Sequence, residues 1–141
     1  MSTAEGNGFP MNQTMLRAAY AANAIDSMSP GRVVVALYDR LMVDLERARR
    51  AIEASDTPTA HECLIHAQSI VSELHDSLDA EQWPAARHLK DVYVFLLFEL
   101  VNANVEKNAA RVASCHELVS PLRDAWTEAA GIVTSPAGGR A

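Results

Sequence analysis

Residues 91–99, Asp91-Val92-Tyr93-Val94-Phe95-Leu96-Leu97-Phe98-Glu99, set seven apolar side chains in an unbroken row, and the reading of that row decides the fold. A run of this kind fits a buried strand, two turns of a core helix, the seed of a membrane span, or a face that a partner covers. Periodicity inside the run does not separate these readings. A bilayer crossing takes about 20 apolar residues, so the run is too short for one. Its flanks favour a helix that begins near Pro84, where a missing N–H costs nothing, and runs to about Asn104. On that helix Tyr93, Leu96, Leu97 and Leu100 form one stripe, and Val94, Phe98, Val101 and Val105 form a second on a different side. A helix that is apolar on two sides must bury both or leave a patch for a partner. Val94 and Phe98 are therefore expected in a partner groove or a self-association contact.

Three further segments carry the helical period. The first opens at Met28-Ser29-Pro30, with Ser29 as cap, Pro30 at the first helical position and Met28 placed to staple against Val33. Val34, Leu37, Leu41, Leu45, Ala48 and Ile52 then recur at steps of three and four. Val33-Val34-Val35 alone reads as strand, but the caps and the stripe outweigh three β-branched residues. Asp56-Thr57-Pro58 repeats the cap-and-proline device ahead of Ala60, Leu64, Ala67, Val71, Leu74 and Leu78. Asn108 caps the last segment, which runs through Val112, Cys115, Val119, Leu122, Trp126 and Ala129, with Gly131 placed to end it. Pro121, inside this pattern, predicts a kink or break over residues 117–121. Short linkers make neighbours antiparallel. The expected fold is all-α, an antiparallel up-down four-helix bundle over residues 28–130. It carries a mobile or loosely packed N-terminal arm (1–27) and a disordered tail (131–141).

The rest of the composition narrows the function. The chain has 141 residues and is 49% hydrophobic but only 6% aromatic. At this length a single core burying roughly two-thirds of the chain's surface is the default. Eighteen acidic against twelve basic residues give a net charge of −6, which opposes binding to nucleic acid phosphates. The one basic cluster, Arg47, Arg49 and Arg50, is interleaved with Glu46 and Glu53 and reads as a solvated helix face. No basic segment followed by an apolar stretch and a small-residue cleavage site opens the chain. Cys63 and Cys115 lie in no pairing pattern, so reduced thiols and a cytoplasmic location are expected.

Catalytic and metal chemistry find little support. Cys63-x-x-His66 and Cys115-His116 supply one ligand spacing where zinc sites ordinarily show two. No Glu-x-x-His occurs to build a carboxylate-bridged di-metal centre. Neither a Gly-x-Ser-x-Gly turn nor a glycine-rich phosphate loop is present. No cofactor, metal or catalytic residue is expected. His88, near the start of the third helix, is the one candidate for a histidine phosphotransfer bundle. It lacks the small residues such a site needs, and Lys90 stands at the wrong step.

The segments MSPGRVVVALYDRL (28–41), ARRAIEASD (48–56), AQSIVSELHDSLD (67–79), VNANVEKN (101–108) and LRDAW (122–126), taken in order, closely resemble the flagellar secretion chaperone family FliS. The resemblance covers about residues 20–130. It implies a small cytosolic bundle that binds the C-terminal segment of flagellin, prevents its premature polymerisation and aids its delivery to the export apparatus. The export gate is a further partner, and neither nucleic acid binding nor membrane insertion is expected. It also implies that the arm, anchored by Met11, Met15, Leu16, Tyr20 and Ile25, covers the flagellin surface when the client is absent. The matching positions assigned to that surface are Tyr20, Leu37, Tyr38, Gln68, Tyr93, Asn104 and Trp126, joined by Val94 and Phe98. Leu37 and Trp126 also fit core positions, and Asn104 a helix end. The chain departs from the family at Trp83, in a loop where others carry charge and glycine. It departs again at Val94 and Phe98, where others tend to be polar. An interaction module for another export or regulatory protein, or a weak homodimer, would use the same apolar surplus.

Overall fold

A computed structural model describes residues 30–79 and 84–132. The expectations for the arm, Tyr20, Met28, Ser29, Trp83 and the tail from residue 133 lie outside that span. The described chain is four helices: α1 (Pro30–Glu53), α2 (Thr57–Ser77), α3 (Pro84–Glu106) and α4 (Ala109–Ala129). They form an up-down bundle arranged as a ring, in which α1 packs on α2 and α4, and α3 on α2 and, most thinly, on α4.

The turns explain why the helices stop where they do. Ser55 and Lys107 adopt left-handed backbone angles (φ 59° and 52°) immediately after α1 and α3. At the first turn Ser55 N–H donates to Ile52 O and Asp56 N–H to Ala51 O. At the second, Lys107 and Asn108 donate in the same way to Asn104 and Ala103. Two orphan carbonyls are thus satisfied at each helix end. Asp56 and Asn108 then turn their side chains forward and accept from Thr59 N–H (3.2 Å) and Arg111 N–H (3.1 Å). One residue closes one helix and caps the next, which is why three-residue and two-residue linkers suffice. Gly131 (φ 73°) ends α4 in the same manner, donating to Glu128 O.

The stripes read from the sequence meet in the middle. Leu41, Leu45, Leu64, Val71, Leu74, Leu96, Leu100 and Val112 are fully buried. Gly31 lets α1 and α4 touch, since a Cβ there would lie 2.9 Å from Ala130 Cβ. α4 is continuous through Pro121, which sits on its exposed side, so the break expected over residues 117–121 does not occur; the carbonyl left without a helical donor there can turn to water. Ile132, just past the last helix, packs against the core.

Candidate partner-binding site

Tyr38 and Tyr93, assigned from the sequence to a partner surface, are instead completely buried, and their hydroxyls share a 2.6 Å hydrogen bond between α1 and α3. Pairing the phenols satisfies the polar atoms that burial would otherwise orphan. Trp126 is likewise interior, at 1% exposure. All three build the core and leave no area for a partner in this state. Leu37 packs against the same core from the side. Asn104 is buried at the end of α3, where its Nδ2 donates to His61 Nδ1 (3.0 Å) and its Oδ1 accepts from Lys107 Nζ (2.9 Å). It ties α2 to α3 and fastens the α3–α4 turn.

Among the described residues, two of the other assigned positions, Val94 and Phe98, lie together on the surface. Val94 and Phe98 are 53% and 64% exposed, and Val101 and Val105 extend the same face with the i, i+4, i+7, i+11 spacing of one helical side. Phe95, 55% exposed, widens it; the run's alternation gave no signal that this ring would face outward too. Of seven large hydrophobics exposed among the described residues, five are on α3. Single exposed apolar residues are ordinary, but a continuous row along one helix is not.

Beside this row, Leu97 forms one bank of an open groove of about 630 Å³ between α3 and α2. The other bank is α2, with Ile65, Gln68, Ser69, Ser72, Glu73, Asp76 and Ser77. Ser69 and Ser72 present only hydroxymethyl groups where the helices separate, which leaves the space open. Gln68 was legible as a candidate. The serines were not, because small polar residues on a helix face look the same whether they border a groove or bare solvent.

Elsewhere many charged groups are paired with neighbours. Arg49 bridges Glu46 and Glu53, and Arg50 reaches Glu46. The Arg49 hydrogen bond holds the Glu46 carboxyl below its ordinary range. Arg123 joins α4 to Asp39 on α1 (3.1 Å), and Arg111 joins α4 to Glu99 on α3 (3.2 Å). Asp44, 1% exposed, meets His66 Nδ1 across the α1–α2 seam and has Arg40 Nε at 3.4 Å. Both thiols are buried, and burial pushes the Cys115 thiol up to about 12. Among the described residues no three His, Cys, Asp or Glu side chains are grouped to hold a metal ion. No described helix is long and apolar enough to cross a membrane. His88 is exposed in the first turns of α3.

Comparison with known proteins agrees with the sequence resemblance. The family described as "Flagellar protein FliS" matches residues 11–133. The flagellar secretion chaperone FliS of Bacillus subtilis is 31% identical over 111 residues, covering 79% of this chain and 83% of that one. Its counterpart in Salmonella typhimurium is 29% identical over 108 residues (75% and 80%), and that in Campylobacter jejuni 27% over 119 residues (84% and 93%). With a helical bundle, a match over most of its length and relatives of one name, the chain belongs to the FliS family of flagellar secretion chaperones.

Proposed function

We propose that this chain is a cytosolic export chaperone that holds the C-terminal segment of flagellin on the outer face of α3. There it keeps the segment from polymerising and presents it to the flagellar export apparatus, whose gate is a second partner. The observation that carries this reading is the exposed row Val94, Phe98, Val101 and Val105 beside the α2–α3 groove. A segment that packs only in its filament exposes apolar helix faces beforehand, and an apolar row next to a groove accepts such a helix. Covering a Phe or Val fully is worth about 1.5–3 kcal/mol each. Ordering the client costs on the order of 2–5 kcal/mol. The balance gives binding that is firm but releasable, as a delivery step requires, and no catalytic group takes part.

The arm of residues 1–27 is proposed to cover this face when no client is bound, with Tyr20 as its aromatic anchor. The test is a fluorescence anisotropy titration of a labelled flagellin C-terminal segment with the full chain. Saturable binding in the low micromolar range or tighter is expected; no binding at several hundred micromolar would remove the reading.

A further inference from the structure

The two banks of the groove differ in charge as well as in polarity. α2 contains Glu62, Glu73 and Asp76 and not one Lys or Arg. α1, by contrast, carries Arg32, Arg40, Arg47, Arg49 and Arg50 against Asp39, Asp44, Glu46 and Glu53, and most of these are joined in ion pairs. On the groove side, among the described residues, Asp76 pairs with His75 alone, at 3.0 Å, and the Glu73 carboxylate forms no ion pair. Arg87 and Lys90, in the first turns of α3, form no ion pair with either acid within 4 Å. A helix laid along α3 therefore meets an apolar floor on one side and, across the groove, an acidic edge whose charge the other described residues leave largely unneutralised. Ser69 and Ser72 keep that edge low enough for long side chains to cross it.

We propose that the occupant of this face is an amphipathic helix of a client protein that carries lysine or arginine along the edge facing α2, so that Glu73 and Asp76 set its orientation and register. This rests on the reading of the α3 row as the client site and adds to it the charge of the client. The apolar row supplies affinity but fits a helix in either direction, because Val94, Phe98, Val101 and Val105 repeat with nearly even spacing. A one-sided acidic edge removes that ambiguity: the wrong orientation leaves a buried-edge cation unpaired and faces the acids with apolar surface.

The experiment uses the full chain and three probes: a flagellin C-terminal segment, and two designed 20-residue amphipathic helices with identical leucine faces, one edged with lysine and the other with glutamate. The lysine-edged helix is expected to bind about tenfold tighter than its glutamate twin at 50 mM NaCl, with the preference shrinking at 300 mM as surface charges are screened. In the double variant Glu73→Gln/Asp76→Asn the preference should fall to less than twofold. The inference is overturned by equal affinity for the two helices, by binding of neither, or by an edge preference that survives the double variant. A concentration-dependent dimer abolished by Phe98→Ser would overturn it as well, by assigning the face to a second copy. The underlying reading fails separately: flagellin binding unchanged in Phe98→Ser removes the α3 site. Binding lost in Phe98→Ser but indifferent to Glu73 and Asp76 keeps the site and removes only the charge assignment.

Discussion

α3 and α4 are neighbouring helices of 23 and 21 residues joined by a two-residue turn, yet they treat apolar side chains in opposite ways. α4 exposes no large hydrophobic residue; Val112, Cys115, Val119 and Trp126 are buried, and Leu118 and Leu122 pack against the core. Its half-buried flanks carry Arg111 and Arg123, which reach Glu99 and Asp39 on the neighbouring helices. α3 fills the core equally well with Leu89, Tyr93, Leu96 and Leu100, then carries five more large hydrophobics that the fold does not use. Among the described residues those five are not part of the core, so packing of the four helices does not account for them. The contrast separates the residues that build the bundle from those proposed to meet a partner, and it can be attacked at both ends.

The largest effect should come from the building side. Trp126→Ala empties a fully buried site and is expected to cost about 3–5 kcal/mol, read as a large fall in denaturant midpoint. Phe98→Ser, on the other helix, should move that midpoint by no more than about 0.5 kcal/mol. Comparable losses would erase the distinction. Next in size is the α1–α2 seam: His66→Ala leaves the buried Asp44 carboxylate without its nearest partner and should destabilise by about 1–3 kcal/mol in urea unfolding.

The Cys115 thiol reports on the same interior. Its proton is held to about 12 in the fold against 9.0 as reference, so the unfolded chain releases it first as pH rises. Below about pH 9 the group contributes nothing. Between about pH 9 and 12 the wild type should lose about 1.4 kcal/mol per pH unit relative to Cys115→Ala. In the same way, iodoacetamide at pH 8 should label this cysteine only when the chain unfolds. The smallest effect is at the α1–α2 turn. Ser55→Gly relieves a left-handed backbone position and should stabilise by up to about 1 kcal/mol.

Most of the fold was legible because its signals are local. Asp56 and Asn108 announce helix starts by side-chain chemistry, and Gly131 announces an end. The stops at Ser55 and Lys107 were less legible, since neither is glycine and the left-handed turn is imposed by the bonds around it. The placement of the proposed partner residues was legible only in part, for a different reason. Helical spacing separated the Phe98 row from the core stripe correctly. It could not tell that Tyr38 and Tyr93 would satisfy each other across 55 residues of sequence, because that pairing exists only once α1 and α3 are brought together. Trp126 shows the same limit: a large aromatic near a helix end fits a core and a surface anchor equally well until packing decides.

Phe98 is the exposed side chain at the centre of the α3 row. Phe98→Glu, tested in parallel for thermal unfolding and for binding a flagellin C-terminal segment, probes its role most directly. An unchanged melting transition is expected, with affinity weakened by about 10-fold to 100-fold, the loss of one well-covered aromatic contact. Unfolding of the variant would show Phe98 to be core, and undiminished affinity in a folded variant would show that the client binds elsewhere.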